Sequence, residues 1–511
     1  MKKWSSFYKI CLVVLLASTH SLSGTDVTTL NNNDPLPVYT TQYPYALLGI
    51  NENEYIKSKH KTQKPSHMGV TITPFYQRSR CGRNTCGEKA ELGDLQGQWN
   101  MLALLNDTAN TNSLPCSVPI LTTIGNNLNT EIGLVFGASS AVPSEVSSIG
   151  NLLETQQSQT LLQKTLGYFN VEGRYNKRGV RFVLESVVCG GFGFSVKSGI
   201  SNISFCPTFV DQTSGATAYN PLAPKYIDGA TTNVSSTSWQ GVTQAITNNV
   251  MSQLKNIAHA IDLDICPYRK TDMEDLYGEL FWRHPFQMNK KAHAGEWPKF
   301  LFIPMFVIGG SLNVAKSTAP NVAFAIPAGN NGHNSWYVRG GLSLDFYETV
   351  NFSFAAGYTA FNSKKYKRAV PSDLYQSGIF PCQVDICRKP GSNYDCSIGF
   401  NSYHFLAGSD SPLDSLSFYF QYRYMSHQKD TFSLAQDSSS CNATTYTAAQ
   451  LALFMPGQLD CVSGFSVQVF NIGFNYDISP NMLLGFGAQI PYKRKGAFRS
   501  TTYAGSFEFT F

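Results

Sequence analysis

Ten charged side chains sit on the polar side of segments that alternate apolar and polar residues: Glu172, Arg174, Arg181, Glu185, Lys197, Arg339, Asp345, Arg423, Asp477 and Glu508. Five are basic and five acidic. Lining a water-filled passage, such charges select ions by Coulomb interaction in a narrow, partly desolvated space, and an even balance implies weak charge selectivity. Pairing across neighbouring strands is the alternative use of the same residues. Bond-breaking chemistry finds no foothold. No phosphate-binding glycine loop links a strand to a helix, and no nucleophile elbow, HExxH pair or EF-hand loop occurs. The nine histidines are scattered, and His404 falls in an alternating segment, where a packed role is expected. No catalytic residue, metal site or cofactor is expected.

The elements that must position these charges are strands. The 511 residues are 42% hydrophobic and 13% aromatic, yet only 14% are charged, against roughly 25% in an ordinary soluble domain. No apolar run approaches the ~20 residues of a membrane helix; the best internal one, Phe300 to Ile308, is broken by Pro304. A helical membrane protein is excluded. So are disorder and collagen, because 34 Phe and 26 Tyr supply apolar surface and the glycines follow no three-residue period.

Met1 to Ser23 reads as a secretory signal peptide: Lys2, Lys3 and Lys9, then the apolar core Ile10 to Ala17, then small polar residues. Its removal takes away three lysines and no acid, so the net charge of +5 falls to +2. No basic footprint for nucleic acid survives. Residues 24–67 form a polar leader.

Period-two alternation then runs through most of residues 68–511. Trp336, Val338, Gly340, Leu342, Leu344 and Phe346 oppose Tyr337, Arg339, Gly341, Ser343 and Asp345. Leu416, Phe418, Phe420, Tyr422 and Tyr424 oppose Ser417, Tyr419, Gln421 and Arg423. Phe169, Val171 and Tyr175 lead to a turn predicted at Asn176 to Gly179, after which Val180, Phe182 and Leu184 oppose Arg181 and Glu185. The polar faces hold Gly, Ser and Asn with few Lys, and aromatics gather at the ends of the apolar faces, as a membrane barrel requires.

The last strand is the most specific signal. Tyr503, Gly505, Phe507, Phe509 and Phe511 face one way, against Thr502, Ala504, Ser506, Glu508 and Thr510. Tyr503, Phe507, Phe509 and Phe511 resemble the terminal aromatic strand of Gram-negative outer-membrane β-barrel porins. That resemblance implies a location in the outer membrane of a Gram-negative bacterium, contact with outer-membrane lipid, recognition by the barrel-assembly machinery, and porin-like homotrimers. The cysteine-bearing loops resemble those of the major outer-membrane proteins of chlamydia-like bacteria.

Fifteen strand starts are predicted, near 68, 95, 131, 166, 180, 192, 299, 320, 335, 350, 395, 414, 464, 481 and 500. Bacterial barrels have even numbers, so another strand is expected between 201 and 298. The fold expected is an all-β transmembrane antiparallel barrel of about 16 strands (14–18), with short turns at 347–349 and 479–480 and long external loops at 362–394 and 427–463. In 239–263, Val242, Ile246, Val250, Leu254, Ile257 and Ile261 recur at helical spacing, so a helix is expected that enters the lumen, caps it or packs within a surface loop. Eleven cysteines follow the signal, and Cys81/Cys86 and Cys382/Cys387 are placed to staple loops, with an odd thiol left free or linking neighbours. The function expected is passive diffusion of small hydrophilic solutes and ions. A disulfide-linked surface structural protein or adhesin on the same barrel, and a secreted soluble β-rich protein, are the alternatives.

Overall fold

The alternating segments close into one ring. The computed structural model describes residues 68–84, 87–94, 99–100, 168–189, 191–211, 250–284, 286–287, 300–346, 350–372, 378–380, 382–402, 416–435, 446–479 and 482–510. The signal peptide, the leader, His404 and Phe511 lie outside the described residues.

Twelve strands make the ring: β1 (Met68–Ser79), β2 (Tyr168–Cys189), β3 (Phe192–Asp211), β4 (Leu276–Arg283), β5 (Leu301–Leu312) and β6 (Ser335–Phe346), then β7 (Val350–Phe361), β8 (Asn393–Ser402), β9 (Leu416–His427), β10 (Phe465–Ser479), β11 (Met482–Lys495) and β12 (Thr501–Thr510). Each pairs antiparallel with the next. β1 pairs with β12, from Gly69 opposite Thr510 to Arg78 opposite Thr501, so the ring keeps no free edge. The strands Trp99–Asn100 and Tyr268–Met273 attach to β2 and β3 outside the ring.

The expected count of about 16 is corrected to twelve. The predicted turn Asn176 to Gly179 lies inside β2, with Lys177 opposite Gln77 on one side and Ile203 on the other. The starts near 166 and 180 are therefore one long strand. The segment near 320 is a loop, and of the start near 95 the described residues hold Trp99–Asn100. The start near 131 lies outside the described residues. The strand expected between 201 and 298 is β4, whose alternation is faint because both faces carry large apolar groups: Tyr277 and Phe281 inward, Leu280 and Trp282 outward.

Polarity inverts along the longest strands, and this explains their length. On β3, Phe192, Phe194, Val196 and Ile200 are exposed outward while Ser195, Lys197 and Ser201 are buried inward. Beyond Ser201 the faces exchange: Asn202, Ser204 and Cys206 point out, and Ile203 and Phe205 are buried inside. On β2 the exchange falls at the same level, since Val180 lies opposite Ile200 and Arg178 opposite Asn202. β10 repeats it, with Phe465, Val467 and Val469 buried below Ser466 and Gln468. A strand pattern without a slip keeps one face toward one side, so the inversion marks a change of surroundings.

Aromatic rings border the apolar band. At the loop end Trp336 contacts Tyr358 (ring centroids 5.6 Å apart) and Tyr358 contacts Tyr394 (5.2 Å), while Phe470 contacts Tyr492 (5.3 Å). At the other end Phe346, Phe352 and Phe400 form a chain at 6.2 and 5.4 Å. Trp336 and Phe346 are separated by ten residues of β6, or ~33 Å of strand, which a barrel tilt of ~40° reduces to ~25 Å.

β6 and β7, like β10 and β11, follow each other at one end, where residues 347–349 and 480–481 lie outside the described residues, and the connections 362–392 and 428–464, as far as they are described, leave the other. Those two connections form one lobe, in which strands Lys364–Val370, Cys382–Lys389 and Thr431–Leu434 pair over Val370, Phe380, Ile386, Phe432 and Phe454. Within it Asp430 accepts from Arg388, His427 and the Gly391 N–H. Burial pushes the Asp430 carboxyl up, but these partners outweigh it and hold it well below the usual carboxylate range. Cys81, Cys206, Cys266, Cys387, Cys396 and Cys461 are free thiols, so the expected staples are absent at Cys81 and Cys387.

Candidate functional site

Inside the apolar band the barrel is lined with paired charges. Arg181 bonds Glu274 through Nε (2.6 Å) and Nη2 (3.0 Å), and Lys177 Nζ lies 2.6 Å from the same carboxylate. The Arg181 guanidinium also covers the Phe75 ring at 4.2 Å. Lys197 pairs with Glu279, which accepts a hydrogen bond from Tyr337 Oη at 2.7 Å. Arg283 pairs with Glu185 at 3.0 Å. Arg339 (3.4 Å) and Arg423 (3.0 Å) share the Asp395 carboxylate.

Seven of the ten charges named from the sequence thus lie inward: Arg181, Glu185, Lys197, Arg339, Asp345, Arg423 and Glu508. Asp345 accepts from Asn351, whose side chain also accepts from Ser343. Glu172 and Arg174 are corrected. With no turn at 176–179, the parity of Arg181 carries back along β2 and places both on the outside, beyond the apolar band. The Asp477 side chain lies outside the described residues.

The sequence reading missed Lys177, Glu274, Asp275, Glu279, Arg283 and Asp395. Lys177 was hidden in the false turn and Glu279 and Arg283 in faint β4. Asp395 was findable, since Tyr394, Cys396, Ile398 and Phe400 alternate with it.

Above these pairs, residues 313–334 fold into the barrel mouth. Ala323 to Asn331 are all buried. Asp275 latches the segment, accepting the Asn330 N–H at 2.6 Å and the Ala315 N–H at 3.3 Å. Lys177 reaches the Ala328 carbonyl at 3.3 Å, and Asn330 Nδ2 donates to Ser311 at 3.1 Å. Phe324 stacks on Phe205 (5.1 Å) and Trp99 (5.8 Å). The chain leaves through Asn331 and Gly332, both at positive φ, and a Cβ on Gly332 would lie 1.9 Å from Lys364 Nζ.

The helix expected in 239–263 is described over Leu254–Ala260, with Val250, Leu254, Ile257 and Ile261 buried together, as their spacing implied. It stacks on the inward segment: Asp264 bonds Asn321 and Ala323 through the backbone. Val242 and Ile246 lie outside the described residues. Together the helix, the segment and the inner faces of Phe169, Val171, Tyr175, Ile203 and Phe205 form one apolar core within the mouth.

Beneath it lies a cavity open to solvent. One wall is apolar, from Phe281, Ile303, Met305 and Val307; another is polar, from Arg339, Asp395, Arg423, Ser397 and Asn475. Asn475 is 2% exposed, and neither of its amide atoms bonds within the protein. Along Lys197, Glu279, Arg339, Asp395 and Arg423 three bases meet two acids, leaving one surplus positive charge. Asp395→Asn should therefore shift ion preference toward chloride by about fivefold at low salt, since one charge at ~4 Å in water is worth roughly 1 kcal/mol. Reversal potentials across a salt gradient check this, and an unchanged potential would refute it.

His333, at the exit of the inward segment, donates from Nδ1 to the Asn362 carbonyl at 2.8 Å. Burial and then the Arg388 charge push it down to about 4 from 6.5. The folded state therefore disfavours the proton. The stability tied to neutral His333 is full above about pH 6.5 and is lost as pH falls toward about 4, by roughly 3 kcal/mol in all. Thermal unfolding at pH 7.5 and 4.5 should show a smaller acid loss in His333→Asn than in wild type.

No family model and no curated protein matches this chain. Among solved structures, an outer-membrane channel from Pseudomonas putida F1 aligns over 88% of this chain and 96% of its own, at 6% identity and a TM-score of 0.38. The CymD monoaromatic hydrocarbon channel aligns over 96% and 98% at 9% identity and a TM-score of 0.30. The NanC porin aligns over 66% and 94% at 11% identity and a TM-score of 0.25.

Proposed function

We propose that this chain is an outer-membrane channel of a Gram-negative cell that passes small hydrophilic solutes and ions passively, with weak charge selectivity. The observation that carries the reading is the inversion of polarity. Within a band ~25 Å tall the closed ring is apolar outside and charged inside, and beyond it the faces exchange. Water does not solvate such an exterior favourably, and lipid does not solvate such an interior. Arg181, Glu185, Lys197, Arg339, Asp345, Arg423 and Glu508 line the path with Glu279, Arg283 and Asp395. Most are already paired, so their field is short-ranged.

A ring of twelve strands is narrower than porins of about 16–18, and the inward segment narrows it further. Tyr503, Phe507 and Phe509 face outward on β12, in keeping with recognition by the barrel-assembly machinery. Folded protein, identified by heat-modifiable gel mobility, should conduct in a planar lipid bilayer. Folded protein without conductance would remove the channel reading.

A cross-linked surface protein on the same barrel is favoured by one observation: Cys206, Cys266 and Cys461 are exposed free thiols at the loop end. Non-reducing electrophoresis of whole cells tests it, and a purely monomeric band counts against it.

A further inference from the structure

Just beyond the loop-end aromatic girdle, cations collect on one arc of the barrel exterior. Arg78 ends β1, Arg174 and Arg178 lie on β2, Arg269 on the strand flanking β3, and Lys493 and Lys495 on β11. Strand pairing fixes their level. Arg178 stands opposite the exposed Tyr76 and, on its other side, Asn202. Arg78 stands opposite Asn176, itself opposite Ser204, which is opposite Arg269. Lys493 extends over the ring of Tyr492, 5.9 Å from its centroid. All but the half-buried Arg78 are exposed.

No ion pair neutralises them among the described residues. The outward faces of these strands beyond the girdle carry one described carboxylate, Glu172, opposite Thr208 and farther from the apolar band. Neutral hydrogen bonds fill the gaps, from Tyr76 Oη to Asn176 at 3.0 Å and from Asn202 to Thr271 at 2.6 Å.

The rest of the circumference differs. At the same level β7 to β10 end in Asn362, Ser392, Ser426, Gln428, Ser466 and Gln468. Cations that merely border a membrane would have no reason to crowd onto one arc, where they repel one another. A planar guanidinium at the edge of an apolar surface matches a phosphate through paired N–H bonds, and neighbouring guanidiniums match a headgroup with more than one phosphate.

We propose that this arc binds the phosphates of a phosphorylated glycolipid of the lipid A type in the leaflet around the loop end. The inference rests on the membrane placement proposed above. The lipid's acyl chains lie against Phe182, Ile200 and Tyr503, and its headgroup lies against Arg78, Arg174, Arg178 and Arg269.

The test uses full-length protein folded in detergent, with bisphosphorylated lipid A as probe and the same lipid stripped of phosphate as control. Binding is read by native mass spectrometry. The combined variant Arg78→Gln, Arg174→Gln, Arg178→Gln, Arg269→Gln should bind the bisphosphorylated lipid at least tenfold more weakly. Lys365→Gln with Lys367→Gln, which removes exposed cations from the outer lobe, should bind as wild type does. Equal binding by the four-arginine variant, or equal binding of phosphate-free lipid by wild type, would overturn the proposal. Heat-modifiable mobility shows separately that each variant is folded, and conductance reports on the channel reading independently of lipid binding.

Discussion

Asp275→Ala is expected to release residues 313–334 from the barrel mouth and raise single-channel conductance. The carboxylate accepts two backbone N–H groups, from Asn330 and Ala315, at a site with no exposed surface. Removing it leaves both donors buried without that acceptor, at roughly 1–3 kcal/mol each. A loss of about 3 kcal/mol changes the ratio of closed to released segment by ~150-fold. Asp275→Asn keeps one carbonyl acceptor and should fall between wild type and alanine. Chymotrypsin cleavage at Phe324, fully buried while the segment is held in the mouth, reports release independently of current. If Phe324 becomes cleavable while conductance stays at the wild-type value, the segment does not limit the passage.

The second large effect is expected at Glu274. Its carboxylate is shared by Lys177 and Arg181, and all three side chains are at most 6% exposed. Glu274→Gln leaves two cations side by side in the interior, and breaking one partner of a buried cluster costs about 3–5 kcal/mol. The temperature at which the folded band is lost on gels should fall accordingly. Adding Lys177→Met removes one of the stranded cations and should recover more than half of that loss, since Arg181 keeps the Phe75 ring. A single variant that melts like wild type, or a double variant worse than the single, would show that the cluster does not stabilise the barrel.

The barrel was legible in the sequence because a closed sheet between two solvents repeats its pattern every second residue. β6, β7, β9, β10, β11 and β12 were readable to within a few residues on that ground alone. What misled was the assumption that one face keeps one character along a strand. In β2 the apolar side is Phe169, Val171 and Tyr175 at one end but Val180, Phe182 and Leu184 at the other. The parity of the apolar residues changes at 176–179, and a turn is the obvious local explanation. The actual cause is tertiary, because the far half of the strand packs its inner face on Phe324 and Trp99. The same error turned Glu172 and Arg174 inward. The inward segment was illegible for a related reason. Its run from Ala323 to Ala328 is apolar because it is buried among other loops, and a short apolar run reads equally as a strand.

Pairing of β1 with β12 has a consequence for how the molecule is made. Gly69 of the first strand of the ring must find Thr510 of the last. Contacts so distant in sequence form late, because the loop they close is large. Until then the edge of β1 keeps its N–H and C=O groups unpaired, and an unprotected edge recruits whatever strand is nearest. The nascent barrel is thus an open sheet in want of a guardian, and the aromatic strand that ends its exposure is made after every other strand of the ring.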